Sequence, residues 1–445
     1  MQRDIEQDLL RWKQQAHRLP LLLRGARQVG KSYVVEKFGQ QHFSNVVTVN
    51  FELQPELIPC FDDLNPQHIL SQLKLLLREK IDTDNTLLFL DEIQECPNAI
   101  RALRYFKEKL PALPVIGAGS LLEFTVNDAN FRMPVGRVQS LYLKPLSFKE
   151  YLSALGYHEL RQFLETVTIT AMIANPIHQQ LIRLLHEYTI LGGMPAVLDN
   201  YLKSRDLSLC QDIQTTLLNT YRNDFGKYAK TTDHKYLQRL FEKAPGLVAE
   251  HFKYVKVDPD MRARDIKSAL EMLQNAGLTY SVYSTAASGI PLISVINEKK
   301  FKLLFLDIGL VTRASKLATA LLFKEDILLL NRGMLAEQFV GQELLAYSTR
   351  FEEAKLYFWC REKHSSMAEV DYVTNIDSDI IPLEVKAGTV TRLKSLKIFM
   401  EEKNSRLGVR ISQLPLNLED NILSLPLYMI GELERLVRDF CRQPQ

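Results

Sequence analysis

The segment Gly25-Ala26-Arg27-Gln28-Val29-Gly30-Lys31-Ser32 constrains this chain more than any other, because it follows the apolar run Leu19–Leu23 and opens a helical stretch at 31–38. Glycine at each end lets the backbone turn tightly and approach a ligand closely. The N–H groups of such a turn, with the start of the helix behind it, face one point and suit an anion with several oxygens. Lys31 brings a positive charge within reach of the outer phosphates of a nucleotide, and the Ser32 hydroxyl can hold Mg²⁺. The spacing is GxxxxGK[ST] in its required strand-to-helix setting. Gly25 through Ser32, with Tyr33 on the first helical turn, are therefore the expected nucleotide-contacting residues, and ATP and Mg²⁺ the expected cofactors.

A second apolar run, Leu87-Leu88-Phe89-Leu90, ends in Asp91-Glu92. The ends of buried parallel strands face the ligand crevice, so these carboxylates fall where a nucleotide would sit. Asp91 is the expected Mg²⁺ holder and Glu92 the expected base that polarises the attacking water. Acids at this point also cap helices, but the loop upstream favours the metal and water roles. A third run, 113–116, leads through Gly117-Ala118-Gly119 to Ser120, a polar tip suited to sensing the terminal phosphate. Arg137, after Gly136, is a candidate for transition-state charge stabilisation in cis or across a subunit interface.

The remaining composition narrows the class. Apolar residues at 46% and charged residues at 24% of 445 describe a folded globular chain, with roughly two to four domains expected. The net charge of +2 gives no overall basic field, so contact with DNA or RNA would need local patches. Five cysteines, an odd number with no CxxC pair, argue against a disulfide framework and a thiolate metal site, and suit a reducing cytoplasm. No apolar run reaches the length of a membrane span, and the charged N-terminal residues do not read as a secretory signal.

Changes of pattern predict four units. Residues 1–150 alternate apolar strands with helices, as a parallel α/β sheet does. Residues 151–230 read as a helical connector. In 231–300, two helices are followed by LTYSVYST and IPLISVI, the order of a winged helix, with Arg262, Arg264 and Lys267 on a helix whose other face is Ile266, Ala269, Leu270 and Leu273. Residues 301–445 form a further α/β unit, with a helix near 332–347, strands near 355–360, 369–374 and 380–386, and a helix from about 391. Within it, Glu369 and Asp371 share one strand face, and Glu384 and Lys386 share another. A hairpin near 375–379 would bring Asp371, Glu384 and Lys386 together as an oxygen-rich Mg²⁺ site with a lysine beside it. The same pattern describes an exposed hairpin with charges on its wet face. Lys394, Ser395 and Lys397 follow as phosphate contacts or a solvated face.

These motifs in this order resemble prokaryotic AAA-plus-like P-loop ATPases that carry a C-terminal domain of unknown function related to the PD-(D/E)XK restriction-endonuclease-like superfamily. The resemblance rests on RGARQVGKS (24–32), LFLDEIQ (88–94), GAGSLLEF (117–124), PVGRVQSLYLKPLSFKEYL (134–152), LGGMPAVL (191–198), YRNDFGKY (221–228), FLDIGL (305–310), AEVDYV and PLEVKAG. Ala118 departs from it, standing where similar proteins often have Ser or Thr. The resemblance implies catalytic roles for Asp371, Glu384 and Lys386, with Glu337 as a supporting acid and Asp371 and Glu384 as metal ligands. The expected function is ATP binding and hydrolysis joined to a nucleic-acid-binding or nuclease domain. The alternative is a nucleotide-controlled protein-interaction switch whose nuclease-like domain is inactive. A GTPase is disfavoured because no NKxD segment follows the loop.

Overall fold

The computed structural model describes residues 1–126, 136–229, 231–317, 333–361, 368–388 and 393–442. Residues 134 and 135 of the 134–152 motif, residue 332 of the helix expected from there, and 391 and 392 of the last expected helix lie outside them.

The first sheet contains β1 (Leu21–Arg24), β2 (Asn45–Asn50), β3 (Thr86–Asp91), β4 (Val115–Gly119) and β5 (Gln139–Tyr142). Its order is β2-β3-β4-β1-β5, parallel throughout. Both faces are covered, which is why its strands read as unbroken apolar runs. Leu21, Leu23, Leu87 and Phe89 pack with Val34, Val35 and Phe38 on one side. Leu22, Leu88 and Leu90 pack with Ile69, Leu73 and Leu103 on the other. Because β4 lies between β1 and β3, the tips of all three adjoin at one end.

Helices at Phe148–Ala154, Asn175–Leu191, Pro195–Ser204 and Leu207–Asn223 carry the chain away from this sheet. The boundary expected at 150/151 falls inside the first of them. The segments LGGMPAVL and FLDIGL close on each other. Asp307 Oδ2 accepts from Gly193 N at 2.6 Å, and a Cβ on Gly192, whose φ is +73°, would stand 2.0 Å from Asp307 Oδ1.

The second sheet contains β6 (Thr279–Thr285), β7 (Ile296–Phe305), β8 (Leu356–Cys360), β9 (Glu369–Ile376), β10 (Asp379–Val385), β11 (Gly408–Ser412), β12 (Asn417–Glu419) and β13 (Ile422–Pro426), in the order β12-β13-β11-β10-β9-β8-β6-β7. The β6–β7 hairpin joins it through a parallel β6–β8 pairing. The expected boundary at 300/301 therefore cuts through β7. The expected hairpin partner IPLISVI is also corrected: Leu292–Val295 is a 3₁₀ turn, and the second strand starts at Ile296. Pro291 has no N–H to offer a ladder. The true strand, INEKKFKLLF, reads as polar because its first half is exposed and only its second half enters the core.

One hydrophobic cluster runs from Ile5 to Val437, so the units share a core. Its strut is the helix Met334–Tyr347, whose buried polar residues bond outward. Gln338 exchanges two hydrogen bonds with the Phe305 backbone, Gln342 accepts from Ile308 N at 2.7 Å, and Glu343 accepts from Phe148 N at 3.0 and 3.1 Å.

Candidate functional site

The loop after β1 adopts the backbone its sequence demands. Gly25 (φ +147°) and Gly30 (φ +94°) take conformations that side chains rarely adopt, and a Cβ on Gly25 would lie 2.3 Å from Leu143 O. Lys31, at the start of the helix Lys31–His42, is buried and donates to Gly25 O (3.0 Å) and Ala26 O (2.8 Å). Burial lowers its pKa to about 8, with Arg27 adding to the effect and Glu92 and Asp91 opposing it. An ammonium bonded only to carbonyls in a desolvated place is a group suited to an anion.

Ser32 Oγ donates to Asp91 Oδ1 at 3.0 Å, and Asn50 Nδ2, at the tip of β2, donates to Asp91 Oδ2 at 3.0 Å. Burial raises the Asp91 pKa, and repulsion from Glu92 adds to this while the Ser32 bond opposes it. A buried carboxylate beside a hydroxyl fits the Mg²⁺ of a nucleotide complex, which is held by few protein oxygens and by phosphate. Glu92 has φ +47°, uncommon for a residue with a side chain and frequent at working sites. Its Oε2 accepts from Gln94 Nε2 at 2.7 Å and from Ser120 Oγ at 3.3 Å. The expected residues Lys31, Ser32, Asp91, Glu92 and Ser120 are thus brought together at the tips of β1, β3 and β4.

Arg137 is not. It precedes β5, at the opposite end of the parallel strands from the site, and pairs with Glu108 at 3.3 Å with half its side chain exposed. The expected role in cis is corrected by strand direction.

On the flank bearing Tyr33 lies a cavity of about 330 Å³, lined by Met1, Arg3, Gly30, Tyr33, Leu146 and Pro195 among others. Arg3, which the sequence reading passed over, donates from Nη1 to Val29 O (3.0 Å) and from Nη2 to Lys144 O (2.6 Å), and pairs with Glu150 (3.0 Å). Asn50 was also missed; its signal was a polar end to the apolar strand NVVTVN.

Residues 17–152 match the family described as an AAA domain. This segment is an AAA-like P-loop domain. Behind the AAA domain, residues 182–321 and 332–429 match two domains of unknown function (DUF8612 and DUF4143). No curated protein matches the chain. Among solved structures, a Walker-type ATPase of Pyrococcus abyssi is 15% identical, covering 71% of this chain and 95% of its own, with a TM-score of 0.45. The Aeropyrum pernix ORC1 protein in complex with DNA is 12% identical, covering 72% and 95%, with a TM-score of 0.31. Cdc6p of Pyrobaculum aerophilum is 10% identical, covering 72% and 93%, at 0.23. Likeness this remote does not extend to function.

The C-terminal constellation forms differently from the expectation. Leu383 pairs with Tyr372 in the antiparallel β9–β10 ladder, which sets Glu384 across from Asp371. The two acids do converge, with Glu337 nearby on its helix. A cation already sits among them, however. Lys302 Nζ, from β7, lies 3.1 Å from Glu337 Oε2, 2.7 Å from Glu369 Oε1 and 3.4 Å from Asp371 Oδ1. Burial alone would lower the Lys302 pKa, but Glu337, Asp371 and Glu369 together raise it well above its ordinary value. Lys386 holds Glu384 at 2.6 Å, Val385 N donates to Asp371 Oδ2 at 2.8 Å, and His251 Nε2 meets Glu369 Oε2 at 2.5 Å. Burial and repulsion from Asp371 push Glu337 and Glu384 upward.

Among the described residues no group of three or more His, Cys, Asp or Glu is placed to hold a metal ion. Asp371 and Glu384, the expected metal ligands, thus have Lys302 and Lys386 as near neighbours, and Glu384 Oε2 is buried with no hydrogen-bond partner among the described residues. The signal for Lys302 was a lone lysine inside the apolar run Phe301–Leu306.

The remaining basic candidates lie on surfaces. Arg262, Arg264 and Lys267 are exposed, and the last two face Asp265 (3.6 Å) and Glu271 (3.8 Å) on their own helix. Lys394 and Lys397 are exposed, whereas Ser395 Oγ accepts from Glu369 N at 3.3 Å and so serves the sheet. No helix among the described residues is long and apolar enough to cross a membrane.

Proposed function

We propose that the protein binds ATP with Mg²⁺ at the loop Gly25–Ser32 and hydrolyses it. The observation that carries this reading is Lys31, buried and, among the described residues, hydrogen-bonded to its own loop carbonyls, next to the adjoining Ser32, Asp91, Glu92 and Ser120. The loop N–H groups and Lys31 hold the phosphates, Ser32 and Asp91 hold Mg²⁺, and Ser120 orients Glu92 toward the water that attacks in line. The apolar cavity beside Tyr33 takes the base.

The C-terminal unit acts in this reading as a coupling and binding module, not a metal-dependent nuclease. Two lysines, Lys302 and Lys386, are bonded among its four carboxylates, and the helix carrying Glu337 is bonded through Glu343 to the AAA domain at Phe148. ATP turnover by the purified chain, with and without single-stranded DNA, double-stranded DNA or RNA, tests both parts. Turnover lost in Glu92→Gln and no metal-dependent cleavage of any nucleic acid support the reading. Absence of turnover, or cleavage lost in Asp371→Ala, overturns the corresponding part.

A further inference from the structure

The loop carries two cations, Lys31 and Arg27, and Arg27 reaches out of the loop. Arg27 Nη1 lies 2.6 Å from Asp224 Oδ1, and its Nη2 lies 3.5 Å from Glu52 Oε2. Lys227 Nζ in turn holds Glu52 Oε1 at 2.7 Å. Tyr221 Oη donates to the Arg27 carbonyl at 3.0 Å. The segment YRNDFGKY therefore touches this loop residue at three levels: Tyr221 on the backbone, Asp224 on the guanidinium, and Lys227 through Glu52. It begins on the last turn of the helix Leu207–Asn223, in a different family-matched region from the loop.

The guanidinium also feels the chemistry beside it. Burial opposes its charge, and Asp224, Glu52 and Glu92 outweigh that, while Arg27 itself depresses Lys31. Arg27 thus stands within the field of both the water-orienting acid and the phosphate lysine. An arginine fork binds carboxylate and phosphate with similar geometry, so a phosphate can compete with Asp224 for it.

We propose that Arg27 reads the terminal phosphate of ATP, and that Asp224 holds it when that phosphate is absent. ATP draws the guanidinium from Asp224, whereas ADP leaves the pair intact. Nucleotide state is thereby reported to the segment 221–227. The same helix leads onward, because Gln214 Nε2 donates to Ile190 O and Leu191 O, next to the junction of Gly192 and Gly193 with Asp307. This inference rests on the proposed ATP site and names the device that distinguishes its ligands.

The test uses the full chain with Mg²⁺ and two probes, ADP and the β,γ-imido analogue of ATP, each titrated by calorimetry. Arg27→Gln is expected to weaken the analogue by about tenfold or more, the worth of a charge-assisted hydrogen bond, and to leave ADP unchanged. Arg27→Lys recovers part of the loss, and Asp224→Asn raises the preference for the analogue over ADP several-fold. Equal weakening of both ligands by Arg27→Gln, or of neither, overturns the proposal. Hydrogen exchange on the unaltered protein is independent of how the variants fold. The analogue, but not ADP, should accelerate exchange at 221–227, and identical exchange with both overturns the proposal. If the unaltered protein binds neither nucleotide, it is the ATP site itself that fails.

Discussion

Lys31 and Lys302 are both buried lysines close to carboxylates, yet burial wins at the first and the carboxylates win at the second. Lys31 bonds two carbonyls, and its pKa falls to about 8. Lys302 is surrounded by Glu337, Glu369 and Asp371, and its charge is fixed. At the first the lysine meets carbonyls, whereas at the second Lys302 and Lys386 stand among four carboxylates, Glu337, Glu369, Asp371 and Glu384, and among the described residues Glu384 Oε2 has no hydrogen-bond partner. Resemblance in residue types does not separate these cases; the number of opposite charges within bonding distance does.

The comparison breaks first at Lys302. Lys302→Met leaves the acids without their central cation and should destabilise the protein by about 3–5 kcal/mol, as removal of one partner of a buried pair does. The same variant should be stabilised by Mn²⁺ more than the parent is. Urea unfolding with and without Mn²⁺ measures both, and an unchanged midpoint would show that the ammonium is incidental.

On the other side, Glu92→Gln should slow ATP turnover on the order of a hundredfold or more while nucleotide binding persists. Steady-state turnover beside calorimetric affinity checks this, and equal loss of both would make Glu92 a structural residue.

A third prediction sharpens what closes the fold between the two sites. Burial raises the pKa of Glu343 to about 8, with Glu150 adding repulsion and its bonds from Phe148, Tyr347 and Tyr188 opposing the rise. Its ordinary value is 4.5, so between these values the folded chain retains a proton that the unfolded chain has released. Stability should therefore fall as pH rises through that window. Glu343→Gln, which cannot ionise, should flatten the slope, as urea midpoints at acidic and mildly alkaline pH would report. An unaltered slope would contradict the assignment.

The smallest effect belongs to Arg137. Arg137→Ala should change stability by no more than about 0.5 kcal/mol, since its pair with Glu108 is half exposed. Turnover should be unaffected, and a turnover defect in a monomeric preparation would restore it to the site.

The P-loop site was legible because its parts are local strings at strand ends: GARQVGKS, LFLDE and GAGS each lie at one strand tip. Parallel order then brings the tips together without further information. Arg137 misled because its place relative to the strand, before and not after it, decides which end of the sheet it occupies. The C-terminal pair Asp371 and Glu384 was also legible, through two-residue periodicity and a short hairpin. Lys302 was not. It belongs to β7, three steps along the sheet from β9, a separation of roughly 14 Å at about 4.8 Å per strand. Only the curl of the sheet and the length of the lysine close that gap. Arg3 escaped for the same reason, since its contacts with Val29, Lys144 and Glu150 depend on how the N-terminal segment crosses the domain.

The most direct measurement of the contrast is the thermal midpoint of the full chain with Mg²⁺ alone, Mn²⁺ alone and Mg²⁺ with ATP. An open nucleotide site and a C-terminal site whose cations are Lys302 and Lys386 predict a rise with Mg²⁺ and ATP that Lys31→Ala removes, and no rise with either metal alone. A rise with Mn²⁺ alone that Asp371→Asn abolishes would contradict the account.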